Sequence, residues 1–556
     1  MNELVVADYV IFICYFIVVA GYGLWIYLRK KSEVVSTKEY FLAEGKLTWW
    51  AIGASLIASN ISAEQFIGMS GSGFKMGLAI ASYEWMSALT LLIVAIFFIP
   101  VYLKNKIFTM PQFLTQRYNS NIGIIMAVFW LLLYIVVNLT SILFLGGLAI
   151  SSISGFDLTL CMYFLAIFSI LITLGGMKVI GYTDVIQVGF LVLGGLLTTY
   201  ISLDLVAKQF GGSGVIQGFQ LMTQYADGHF EMILHQDNPN YFDLPGLTVI
   251  FGGLWIANLN YWGCNQYITQ RALGADLKTA RRGILFAAFL KLMMPLIVVL
   301  PGIAAYVLYQ QGYFQSEMIQ DNTLNPDRAY PVLLNLLPSG LKGLSFAALT
   351  AAVVASLAGK ANSIATIFTF DIYQRLLNKE ASEKRMVSVG KIVVVVAMLI
   401  AVIIAPYLGI DKKGGFQYIQ EYTGFVSPGV FAMFIFGFFW KRTTSNAAMF
   451  AIVGGFLLSI GLKFSVNWIN WSFLEPIGFA KLNEANRFEI PFLDRMSIAF
   501  ILCALGMVII SWWDRRRDVE VNGLEVSAKM FGVDRVFAVG GLLVCGILVA
   551  LYMMFW

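Results

Sequence analysis

The sequence predicts an all-α membrane protein of about fourteen transmembrane helices, with a core of two inverted five-helix repeats. Three observations carry that expectation: the composition, the alternation of basic loops, and two apolar spans interrupted in matching places. Of 556 residues, 59% are hydrophobic and 12% charged, whereas a soluble domain carries about 25% charged residues. Apolar surface in that excess needs lipid as its solvent. Runs such as 91–102, 124–137 and 540–556 read as helices, because the alternating ten-residue strands of outer-membrane barrels are absent.

The elements follow in chain order. A first apolar run from Tyr9 to Tyr27 comes after a short acidic start without a basic n-region or a cleavage site, so it reads as a retained span. Residues 1–46 then form an extra N-terminal helix and cytoplasmic loop, and 47–205 the first inverted repeat. Residues 206–245 form an outer loop, 246–440 the second repeat, and 441–556 three peripheral helices. Lys and Arg crowd alternate loops, from Arg29, Lys30, Lys31, Lys38 and Lys46 at one end, through Lys104, Lys106 and Arg117 and then Arg271, Lys278, Arg281 and Arg282, to Arg515, Arg516, Arg517, Lys529 and Arg535 at the other. The opposite side has only Lys208, Arg328, Lys412, Lys413, Lys481 and Arg487. That asymmetry places the crowded loops in the cytoplasm and both termini outside, in a cell inner (plasma) membrane. The polar stretches at about 205–245 and 310–340 are expected to form a lid over the external face.

Other residue types narrow the chemistry. Cys14, Cys161, Cys264, Cys503 and Cys545 lie in apolar runs without paired spacing and read as small hydrophobes. The two histidines, His229 and His235, share one polar loop, and no nucleophile–base pair can be assembled, so neither an enzyme nor a His-based metal site is expected. The net charge of +5 follows from the cytoplasmic loops and implies no nucleic acid. The expected partners are the lipid bilayer and a small molecule, with no obligate protein partner and no organic cofactor.

Two spans are not continuous apolar runs. In the second, Trp49 to Gly68, the middle is a polar knot: Ser59-Asn60-Ile61-Ser62-Ala63-Glu64-Gln65. In the seventh, Gly252 to Tyr267, glycines precede Asn258, Asn260, Asn265 and Gln266. The two spans run in opposite directions and each opens a run of five helices. Matched interruptions in inverted halves point to a transporter binding site, since unwound backbone is tolerated only where it lines a cavity. The competing reading is glycine-rich helix packing with buried amides.

Several polar side chains stand at membrane depth. An ionisable group there costs about 2.5–3.5 kcal/mol on insertion scales, so Glu84 and Lys291 need partners or a water-filled cavity. They are either a structural bridge between helices or part of a ligand set. A sugar, uncharged and covered in hydroxyls, is read by mixed amides and ionic groups with an aromatic ring against its C–H face. Asn60, Gln65, Glu84, Ser87, Asn258, Lys291 and Gln420 supply the first, and Tyr261, Tyr83 and Phe416 the second. The break after Ala58 and the small-residue run Ala351 to Ser356 offer oxygens for a sodium ion.

The stretches Asn60 to Gly73, Ala81 to Met86, Trp255 to Arg271, Phe286 to Lys291 and Phe416 to Gly424 resemble the solute:sodium symporter family, at its galactose- and glucose-carrying branch. The likeness spans nearly the whole chain. It implies fourteen helices, a LeuT-like core and alternating access. Carried over by position, it implies sugar ligands at Gln65, Glu84, Ser87, Asn258, Lys291 and Gln420, with Asn60 nearby. Tyr261 stacks as an inner gate braced by Asn265, and Met69, Tyr83 and Phe416 form an outer gate. The co-transported sodium takes the carbonyls of Ala58, Ile61 and Ala352 and the Ser356 hydroxyl, and Asp184 lies on its inward path. One departure stands out. Where the sugar-carrying pattern has two adjacent serines, this chain has Ala355-Ser356, with Lys360 one turn on. Lys360 is expected to pair with Asp184 beside an ordinary sodium site. The alternatives are a proton-coupled or uncoupled sugar or polyol (inositol) carrier in which Lys360 replaces the ion, and a non-transporting sugar sensor.

Overall fold

The computed structural model describes residues 4–29, 37–42, 47–320, 322–407, 415–483, 485–515 and 522–556. Of the cations that set the orientation, Lys30, Lys31, Lys46, Lys412, Lys413, Arg516 and Arg517 lie outside these residues. Helices dominate. The strands among the described residues form two short antiparallel pairs, Ile319–Gln320 with Thr323–Leu324 and Lys481–Leu482 with Phe488–Glu489. Ten helical segments of the described chain are long and apolar enough to cross a bilayer, and Leu158–Thr173 and Ser427–Phe439 are shorter apolar helices.

Contacts divide the chain into two compact units. The first comprises residues up to Ala81, Ala127–Phe230 and Gln270–Tyr418. Its centre is the helix Leu341–Ile367, rich in Ala, Gly and Ser, which packs against Gly176–Gln209, Leu158–Thr173 and Val6–Arg29. Small side chains let helix backbones approach closely where lipid gives no hydrophobic drive to associate. The same device joins Trp49–Asn60 and Ser70–Met76 to Leu277–Gln310. A Cβ on Gly53 would stand 2.6 Å from the Gly283 carbonyl, and one on Gly302 would stand 2.1 Å from that of Ser70. Asp8, buried near the start of the first helix, accepts the amides of Gly340 (2.7 Å) and Gly343 (2.8 Å). A carboxylate at those orphan amides complements the N-terminal end of Leu341–Ile367.

The second unit comprises Ser82–Met126, Glu231–Thr269 and Ile419 onward. In it Gly253–Cys264 packs against Ser82–Ile93 and Ser427–Phe439, and Phe492–Arg515 packs against Ser427–Phe439 and Gly455–Phe464. Arg117, a loop cation by sequence, is buried. Its guanidinium donates to the carbonyls of Gly437 (2.8 Å), Trp440 (3.0 Å), Thr443 (3.2 Å) and Asn522 (2.8 Å). The planar fork thus satisfies carbonyls at the C-terminal end of Ser427–Phe439 and in the loops beyond it.

Candidate functional site

In the first unit, the second span breaks at the polar knot. Trp49–Asn60 is helical, Ile61 turns extended (φ −80°, ψ 110°), and the chain resumes as the wide-turned segment Glu64–Met69. Had the helix continued, the Ser62 amide would have bonded the Ala58 carbonyl. It donates instead to Gln65 Oε1 at 3.0 Å, and the Gln65 amide donates to the Ser62 carbonyl rather than that of Ile61. The Ala58 and Ile61 carbonyls therefore lose their helical partners to a side chain and a shifted turn. Ser356, on Leu341–Ile367, donates to the Ser59 carbonyl at 3.1 Å, so the ninth span touches the second at its break. Ala58, Ile61, Ala352 and Ser356 are all buried. Carbonyls and hydroxyls of this kind suit a hard, monovalent cation. Asn60 ends the helix and is buried, as is Lys291 in Leu277–Gln310. Met69 is buried, and Gly68 beside it lies so close to Phe416 that a Cβ would stand 2.8 Å from the Phe416 amide.

In the second unit, the seventh span is interrupted too, at a glycine and at the last part of its polar set. Asn258 and Asn260 sit inside the continuous helix Gly253–Cys264, and the breaks fall at Gly252 and Asn265. Asn258 and Asn260 stay helical because their amides find partners across helices. Asn258 Oδ1 accepts from Ser87 Oγ at 2.6 Å, and Asn260 Nδ2 donates to Ser427 Oγ at 3.1 Å. Tyr83, Glu84 and Ser87 are all buried on Ser82–Ile93. The Tyr261 ring meets Trp262 and Tyr267 edge-on at 5.1 and 5.7 Å, and its carbonyl accepts the Asn265 amide at 3.3 Å. Gln420 is half-buried on Gly415–Gly424.

Two broken spans, one with carbonyls released beside a serine, are the equipment of an ion-coupled carrier. The pattern of the sodium:solute symporter family matches residues 40–455. The chain belongs to that family. This symporter is 46% identical to the sodium/glucose cotransporter of Vibrio parahaemolyticus, over 99% of this chain and 98% of that one. It is 34% identical to the human sodium/myo-inositol cotransporter 2, over 82% of this chain and 69% of that one. It shares its fold with a Na+-coupled sialic acid symporter solved in a substrate-bound outward-open state, at TM-score 0.75 and 23% identity, covering 92% of this chain and 98% of that one. The protein is therefore a multi-pass membrane transporter of mainly helical fold, and not an enzyme. Sodium is the ion that its family co-transports.

The symporter holds one constellation in its first unit that sequence reasoning reached only in part. Asp184, on Gly176–Gln209, accepts from Ser55 Oγ at 2.5 Å, and Ser55 in turn accepts from Arg271 Nε at 2.8 Å. Arg271 Nη2 lies 3.9 Å from the same carboxylate, and both ionic groups are 1% exposed. The guanidinium rests on Gly359, where a Cβ would stand 2.4 Å from Nη2 and 2.8 Å from Ser59 Oγ. The expected pairing of Lys360 with Asp184 is thus replaced: Asp184 takes Ser55 and Arg271. Lys360 is buried one turn beyond Ser356, and Glu64, on the segment after the break, accepts from Ser141 at 2.9 Å. Arg271 had read as a cytoplasmic loop cation, and nothing local marks its burial. Ser55 was findable, since Ser55 and Ser59 stand at i, i+4 on one face of the second span.

Proposed function

We propose that this symporter imports a hexose of the galactose or glucose type, driven by sodium, through alternating access. The observation that carries the reading is the released pair of carbonyls at the second span, in a chain 46% identical end to end to a sodium/glucose cotransporter. Sodium binds the carbonyls of Ala58, Ile61 and Ala352 and the hydroxyl of Ser356, and holds the break in one form. The sugar then binds to Asn60, Gln65, Glu84, Ser87, Asn258, Lys291 and Gln420, with its C–H face on Tyr261. Met69, Tyr83 and Phe416 close above it, and Asn265 braces Tyr261 below. The ion leaves past Asp184, and Arg271 must release Ser55 for it to pass. Lys360, buried one turn beyond Ser356, is a structural neighbour of that path. The twelve apolar helices together with the two interrupted ones support fourteen spans. The repeats are then 47–205 and 246–440, with both termini outside the plasma membrane and the long loops as a lid.

One charge moving through 100 mV releases about 2.3 kcal/mol, and a tenfold sodium gradient adds about 1.4 kcal/mol. Together these sustain a sugar gradient of several hundredfold, on the order of what a scavenger needs. A second reading, a myo-inositol carrier, draws on the human relative, because a cyclitol, like a pyranose, is a six-membered ring with mostly equatorial hydroxyls. Uptake of labelled glucose, galactose and myo-inositol into proteoliposomes tests both, with an inward sodium gradient against an equal choline gradient. Sodium-dependent accumulation of a hexose above equilibrium is expected. Accumulation of inositol alone moves the substrate, and sugar entry indifferent to sodium overturns the coupling and favours Lys360 as a fixed cation.

A further inference from the structure

Gln420 is followed by Glu421, and in the second unit that carboxylate has unusual company. Glu421 Oε1 receives Lys463 Nζ at 2.7 Å and Arg495 Nη2 at 3.0 Å. Glu489 Oε1 receives the same Lys463 at 2.9 Å and Arg495 Nη1 at 2.6 Å. Asn483 Nδ2 donates to the second oxygen of Glu489 at 2.9 Å. Two anions and two cations so close a ring of alternating sign, with Arg495 and Glu489 at 5% and 8% side-chain exposure. Arg495 and Lys463, which lie at span ends, are not simply snorkelling to water. The Arg495 fork divides its two arms between the carboxylates, a geometry that a lysine cannot copy. A small cavity lined by Glu421, Gly424, Phe425, Ser459 and Phe492 flanks the ring.

We propose that Glu421 is a positioning residue for substrate recognition: the ring clamps Gly415–Gly424 to Gly455–Phe464 and Phe492–Arg515 and so fixes the direction of Gln420. Neighbours on an α-helix point about 100° apart, so holding position 421 sets the azimuth of position 420. The inference rests on the sugar-carrier reading. It separates the two anions of the ring by function. Removing the charge of Glu489 leaves Glu421 holding both cations, and the helix stays clamped. Removing the charge of Glu421 frees the helix, although the rest of the ring survives.

The test compares Glu421→Gln, Glu421→Asp and Glu489→Gln with wild type in proteoliposomes at saturating sodium, across a range of sugar concentration. Thermal stability is measured on the same preparations. Glu421→Gln is expected to raise the sugar KM about tenfold with maximal rate within twofold, the mark of lost binding and not lost turnover. Glu421→Asp, one methylene shorter and still charged, recovers most of that loss. Glu489→Gln melts earlier and keeps the wild-type KM. If Glu421→Gln does not insert, the shift of Glu421→Asp relative to Glu489→Gln decides the matter. Equal KM values in Glu421→Gln and Glu489→Gln, raised or not, reduce the ring to a structural staple and overturn the inference. A wild type that takes up no sugar overturns the carrier reading and this inference with it.

Discussion

The two interrupted spans solve the same backbone problem with opposite polarity. At the break of the second span a side-chain oxygen, Gln65 Oε1, accepts the Ser62 amide. Donors are satisfied there and carbonyls are left over. At the breaks of the seventh span the side chains donate: the Trp255 indole to the Ile250 carbonyl at 2.5 Å, Asn265 to those of Tyr261 and Asn260, and Tyr102 to that of Gly263 at 2.6 Å. Acceptors are satisfied there and little remains for a cation. An interrupted helix is therefore not in itself an ion site. The group that caps the break decides what the break can bind, and this criterion supports the proposed placing of the sodium at the second span.

The sharpest way to break that comparison is at Gln65. Gln65→Leu removes the acceptor and leaves a buried amide unmet, at a cost of about 1–3 kcal/mol. It is expected to abolish sodium-driven uptake and to lower the melting temperature. Gln65→Glu keeps the acceptor and is expected to lose less stability while still impairing uptake. A thermal scan of both purified variants checks this. Equal melting temperatures for Leu and Glu would mean that the Ser62 amide is met in some other way, and the polarity argument would fail.

A smaller effect is expected one helix away. Gly359→Ala places a methyl where Arg271 Nη2 now rests, 2.4 Å from the new carbon, and the guanidinium must move off Ser55 and Asp184. Arg271→Lys, with a point charge and no fork, is the companion. Both are expected to change the sodium concentration for half-maximal uptake several-fold and to leave the sugar KM within twofold at saturating sodium. A sugar KM that moves while the sodium dependence stays fixed would detach this group from the ion path.

How much of this was legible in the chain follows from the same local physics. The break at Ile61 was readable because Ser62 and Gln65, three residues apart, cap one another without outside help. The seventh span was readable as interrupted, at Gly252 and Asn265, residues that its glycines and amides mark. Which amides stay helical was not readable, because Asn258 and Asn260 find Ser87 and Ser427 on other helices. Composition and apolar runs sufficed for the membrane fold, since lipid leaves a chain few options. Partners distant in sequence were not legible. Arg271 and Arg117 read as solvated loop cations, and only the packed structure puts Asp184 beside the first and four carbonyls around the second. Asp8 likewise read as part of a merely acidic start, although it caps a helix more than three hundred residues on.

The smallest effect tests the other side of the comparison. Asn265 donates to the Tyr261 carbonyl at 3.3 Å and to that of Asn260 at 3.5 Å, long contacts that contribute on the order of 0.5–1.5 kcal/mol in total. Asn265→Asp keeps the shape and replaces the donor with an acceptor facing two acceptors. If donors are what the second break needs, this substitution lowers the melting temperature by a few degrees and loosens the turn on which Tyr261 sits, so sugar leaves faster on the inward side. The acid that the first break tolerates is then the acid that the second does not. Melting curves and sugar efflux from loaded proteoliposomes read both consequences. An Asn265→Asp symporter with wild-type stability and efflux would show that the seventh span does not depend on a donated proton, and the contrast between the two breaks would rest on the second span alone.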